Sequence, residues 1–70
     1  MQETMRITLL QLRGTLQAKN MKEENIRWML TGAIIRVGYH LGLLKRGEPI
    51  PESMYRHIST LVQEIMNENE

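Results

Sequence analysis

Seventy residues with 9 Lys and Arg against 8 Asp and Glu bound the chain to one domain, 1–70, with no net charge that points by itself to nucleic acid or a membrane surface. A chain this short buries roughly 60% of the surface its unfolded form exposes, so its core is thin and a disulfide, a metal or a partner commonly supports it. Cysteine is absent and there are two histidines, which excludes disulfides and a closed zinc site of nitrogen and sulfur ligands, and leaves self-association.

The first predicted helix covers about 2–18. Met5, Leu9, Leu12 and Leu16 recur at spacings of four, three and four and share one side, and Met1 extends the stripe. Ile7 and Leu10 fall on the other side. An edge helix of a monomer has no use for a second apolar patch, so the pair suggests another contact. Asn20 is placed to cap the next helix, with Glu23 three residues on completing a capping box.

The second helix is predicted over about 21–46, the long central element. Ile26, Met29, Leu30, Ala33, Val37, Leu41 and Leu44 form one apolar stripe; Trp28, Ile35 and Tyr39 form another, with Gly32 and Leu43 beside it. A helix apolar on two faces is buried on two faces. Gly32, Gly38 and Gly42 are costly inside a helix, and close approach by a second helix would compensate. Lys45 and Arg46 suit a helix C-terminus, and Gly47 can take the left-handed stop conformation. After the rigid 48–51 connector, Pro51 opens a third helix over about 51–67. Met54, Ile58, Leu61 and Ile65 line its face, widened by Tyr55 and Val62, and a frayed polar tail covers 67–70.

The expected fold is therefore all-α, a three-helix domain that forms a helical homodimer. The predicted interface comprises Trp28, Gly32, Ile35, Tyr39, Gly42 and Leu43 of the second helix with Ile7 and Leu10 of the first. Aromatic side chains suit interface centres because they bury much area at little entropic cost.

Catalysis is not expected. Ser53 and His57 stand four apart, but a serine hydrolase also needs an orienting carboxylate and an oxyanion hole. The chain has no aspartate and no glycine elbow. His40 sits at the margin of the main stripe, where a satisfied core-edge histidine is the plainer reading than a ligand or pH sensor. His57 and Glu64, seven apart, could pair on a metal only across a dimer. No cofactor is expected. Six methionines and no phenylalanine suit adaptable core filling, with a methionine-lined groove as the alternative.

Residues up to 46 are rich in Lys and Arg, and those from 47 on hold Arg56 against Glu48, Glu52, Glu64, Glu68 and Glu70. The two halves can complement each other once folded. The competing reading is a basic face, with Arg6 and Arg13 seven apart and free to contact phosphates. In a related alternative 5–10 is a strand, giving a dimeric DNA-binding regulator of ribbon-helix-helix type. The segment 1–14 lacks the apolar run of a secretion signal, and 28–44 is interrupted by Arg36 and His40 as a membrane span. A cytoplasmic location is expected.

The run Trp28-Met-Leu30-Thr-Gly32-Ala-Ile-Ile35-Arg36-Val-Gly38-Tyr-His-Leu41-Gly42-Leu43 resembles a helix in the middle regulatory region of fungal zinc-cluster transcription factors, of the form W-x-L-x-G-x-A-I-R-x-A-x-x-L-G-L-H-R. It covers about a quarter of the chain, and Leu44 stands where that family has histidine. The resemblance implies a helical regulatory fragment without the cysteine cluster that binds DNA, and no functional residue carries over. Together these readings predict a protein-binding, regulatory module, with transcription as one setting and a small DNA-binding regulator as the alternative.

Overall fold

A computed structural model describes residues 2–68 and shows three helices, α1 (Glu3–Ala18), α2 (Glu23–His40) and α3 (Glu52–Asn67), with no strand among the described residues. The all-α, three-helix expectation holds, and the strand proposed for 5–10 does not: that segment lies within α1. Met1 and the last two residues of the expected frayed tail lie outside the described residues.

All three helices pack against one another. The core gathers Leu9, Leu10 and Leu16 of α1, Ile26, Leu30 and Ile34 of α2, and Ile58, Val62 and Ile65 of α3, with Leu30 and Ile65 fully enclosed. In α1 the buried arc is rotated from the expected stripe toward Leu10 and Arg13, so Met5 and Leu12 are only half-buried. In α2 the buried residues repeat every fourth position, the narrow seam of a helix touching its neighbours along one line. Ile34, which neither predicted stripe contained, is part of that seam. Met29 and Val37, expected inside, are exposed.

The helix ends explain where the elements stop. Asn20 does not cap α2. It adopts φ 58, and the N–H groups of Asn20 and Met21 donate to the carbonyls of Gln17 and Leu16 at 3.0 and 3.2 Å. These are the two bonds of a Schellman turn, so Asn20 terminates α1 and Met21 folds back against the core. The residue before α2 is Lys22, whose side chain makes no cap bond, and Glu23 and Glu24 in the first turn supply the favourable charge instead.

The same device ends α2 six residues before its expected limit. Gly42 takes φ +77, and Gly42 and Leu43 donate to Tyr39 and Gly38 carbonyls at 3.1 and 2.9 Å. Leu44 then turns back and is buried. A Cβ on Gly38 would lie 2.8 Å from Leu44 Cδ1. Gly38 thus admits a leucine of its own chain, and Gly42 supplies a left-handed turn; neither is a groove for a second helix. Gly47 has φ +84 but lies beyond α2, in the connector.

Candidate docking surface

The early end of α2 determines which apolar residues stay uncovered. Leu41 and Leu43 flank Gly42 in the turn and are 67% and 69% exposed, and Val37 on the preceding turn of α2 is exposed too. Together with Met5 of α1 and Met54, His57 and Leu61 of α3 they line a groove of about 250 Å³, floored by Ile34, Gly38, Leu44 and Ile58 and edged by Gln2. Apart from Gln2 and His57 its lining is apolar. Two methionines, Met5 and Met54, stand among its lining residues, which are mainly leucine, isoleucine and valine.

The predicted interface residues do not share one surface. Trp28 is 68% exposed, beside a polar hollow between α2 and α3 where Arg27 donates to Gln63 Oε1 at 2.7 Å. Ile35 is half-buried against the core. Tyr39 is half-buried with the Arg46 guanidinium 5.6 Å above its ring, a cation–π contact. Gly32 is exposed within α2 with open space where a Cβ would stand. Gly42 and Leu43 lie past the helix end, in the turn. Ile7 is exposed, but Leu10, expected beside it on an outer face, is 8% exposed and belongs to the core. Of the second apolar stripe of α2, Ile35 and Tyr39 are thus half-buried within the chain, while Trp28, with Gly32 and Leu43 beside the stripe, stays open.

Arg6 and Arg13 also have partners. Arg13 is 6% exposed and donates from Nη1 to the carbonyls of Ile65 at 2.5 Å and Glu68 at 2.7 Å. It caps carbonyls at the end of α3, where a positive charge is favoured, adding to the Glu68 N–H that donates to the Ile65 carbonyl at 3.3 Å. Its Nε is buried without a partner. Arg6 is ion-paired with Glu3 one turn before it and with Glu68 at the end of α3. The Arg6 hydrogen bond holds the Glu3 carboxyl below its ordinary range, and Glu3 in turn pushes the Arg6 guanidinium up. The phosphate contacts anticipated for this pair are therefore occupied by the chain's own C-terminal helix. The basic front and acidic tail meet here, as the complementary reading of the charge asymmetry anticipated.

Ser53 and His57 are exposed on α3, and no side-chain hydrogen bond joins them among the described residues. His40 is exposed at the last position of α2. Among the described residues no three His, Cys, Asp or Glu side chains gather in a group able to hold a metal ion, and no helix is long and apolar enough to cross a membrane.

No protein-family model, curated protein or solved structure is detectably similar to this chain.

Sequence reasoning placed Leu41 in the buried stripe, as the continuation of Val37, because it ran α2 to Arg46. The signal it passed over was Gly42, a stop residue as good as Gly47 and better placed, since Gly38 leaves room for Leu44 to fold back.

Proposed function

We propose that this chain is a small helical protein-binding module, with a regulatory role, that works by docking a partner in the groove at the C-terminal end of α2 and carries no catalytic centre. One observation carries the reading: Leu41 and Leu43 are two-thirds exposed beside an apolar groove, while Leu44 between the turn and the connector is buried. An apolar concavity with open apolar rims marks an interaction site more often than an incidental surface. Its volume of about 250 Å³ lies below the roughly 300–1,000 Å³ of small-molecule sites, and suits one or two projecting side chains. The resemblance of 28–43 to a regulatory helix, which corresponds to α2 and its closing turn, favours a regulatory setting that includes transcription.

Site-specific photo-crosslinking tests the reading. A photoreactive residue at Leu43 should form a heteromeric adduct in the cell that makes the protein, and the adduct should vanish when Val37→Glu is added. An adduct formed equally well from an exposed position remote from the groove, such as Lys19, or no adduct at all, would overturn it.

A further inference from the structure

We infer that the outer face of α2 holds a second copy of this chain, in an antiparallel pair of α2 helices that leaves the groove of Leu41 and Leu43 free. The reason is that α2 lacks a polar side. Its buried seam is Ile26, Leu30 and Ile34. Trp28, Gly32 and Arg36 each stand two residues from a seam residue, about 200° round the helix, and form the outer line. Met29 flanks that line on one side, and Ile35 and Tyr39 flank it on the other. Trp28 is 68% and Met29 47% exposed, and Ile35 and Tyr39 are half-buried. The corresponding outer positions of α3 are Arg56, Thr60, Glu64 and Asn67, all exposed and all polar. That is the face of a helix that meets only water, and α2 does not have it.

The face is complementary to itself. A two-fold axis midway between Trp28 and Arg36 brings position 28 of one antiparallel helix level with position 36 of the other. Trp28 then lies over the partner's Ile35, Met29 lies along the aliphatic stem of the partner's Arg36, and both contacts repeat across the axis. The two Arg36 side chains stay about 12 Å apart along the helices, beyond the range of strong repulsion. Antiparallel pairing also sets the positive end of each helix dipole beside the negative end of the other. The area left open is adequate. The chain exposes 5376 Å² at 8.2 kDa, against roughly 4,500 Å² for a compact monomer of that mass. The excess is close to the roughly 800 Å² that each side contributes to a standard interface. A second copy thereby supplies the support that a thin core without cysteine lacks.

Trp28 is the only tryptophan, so its fluorescence reads the contact directly. The full chain should sediment as a dimer at micromolar concentration. Its emission should move to longer wavelength as dilution separates the copies and the indole enters water. Trp28→Glu, at an exposed position, should stay folded by circular dichroism and self-associate more than about tenfold more weakly. Met29→Glu, beside it on the same face, gives the same reading where Trp28→Glu fails to fold. Leu43→Glu, at the groove rim, should dimerise as wild type does. A wild type that stays monomeric, with emission independent of dilution, would overturn the proposal and leave the face to another occupant. A folded Trp28→Glu that dimerises as tightly as wild type would also overturn it. So would a dimer lost on Leu43→Glu and kept on Trp28→Glu, which would put the second copy in the groove.

Discussion

The C-termini of α2 and α3 face the same problem and solve it in different ways. Each helix ends with carbonyls that have no partner within the helix. At α3 the solution comes from another helix: Arg13 of α1, buried, donates to the carbonyls of Ile65 and Glu68, and Arg6 takes the Glu68 carboxylate. At α2 the solution is local. Gly42 turns left-handed, and the backbone of the turn closes on Tyr39 and Gly38. The first device draws the chain together and uses up its cations. The second costs little tertiary contact, so it leaves Leu41 and Leu43 in solvent and Lys45 without an ion-pair partner among the described residues. One end is sealed by a buried arginine, and the other, where docking is proposed, leaves two leucines in solvent.

The largest expected effect is at the sealed end. Arg13→Met removes two charge-assisted bonds, leaving the Ile65 carbonyl with only the Glu68 N–H at 3.3 Å, a loss of about 3 kcal/mol. For a domain of this size that corresponds to a fall of more than about 12 °C in Tm by circular dichroism. A Tm within a few degrees of wild type would show that water satisfies those carbonyls and that the end is not sealed by Arg13.

The glycines of α2 sharpen the contrast because they should respond in opposite directions. Gly42→Ala forces a side chain into the left-handed region and should cost about 1 kcal/mol in urea unfolding. Gly32→Ala, in open space within the helix, should gain up to about 1 kcal/mol. A stabilised Gly32→Ala that retains partner binding would separate Gly32 from any interface. Lost binding would return it to the close-approach role expected from the sequence.

The smallest effect belongs to Glu3. Its folded pKa is lowered by Arg6, so its contribution is present above the ordinary glutamate value, about 4.3, and is lost as pH falls through the lower folded value. Urea midpoints measured across that range should decline slightly less for Glu3→Gln than for wild type. Identical pH profiles would mean that the Arg6 contact persists without the charge.

The periodicity of α1 and α3 was readable because each has one buried face and a polar remainder, and the core residues Leu9, Leu16, Ile58 and Ile65 follow from spacing alone. The central helix was legible as a helix and not as to its end. Gly38, Gly42 and Gly47 all fit a stop, and the choice rests on Leu44 packing against Gly38, a contact between residues six apart that no window of propensity contains. Arg13 was unreadable for a related reason. A lone arginine at helical spacing from another looks like a solvated pair until the end of α3, more than fifty residues away in sequence, arrives beside it. The groove inherits the first gap: Val37 and Leu41 were assigned to the buried stripe, and Leu43 to a dimer interface beside the second stripe.

The central claim is that Leu41 and Leu43 serve binding and not folding. The direct measurement is the thermal stability of Leu41→Glu/Leu43→Glu alongside the heteromeric adduct that a photoreactive residue at His57, in the groove wall, forms in the cell. The expected result is a Tm within a few degrees of wild type, as for exposed positions, with the adduct lost. A folded variant that forms the adduct as wild type does, or a double substitution that unfolds the domain, would contradict it.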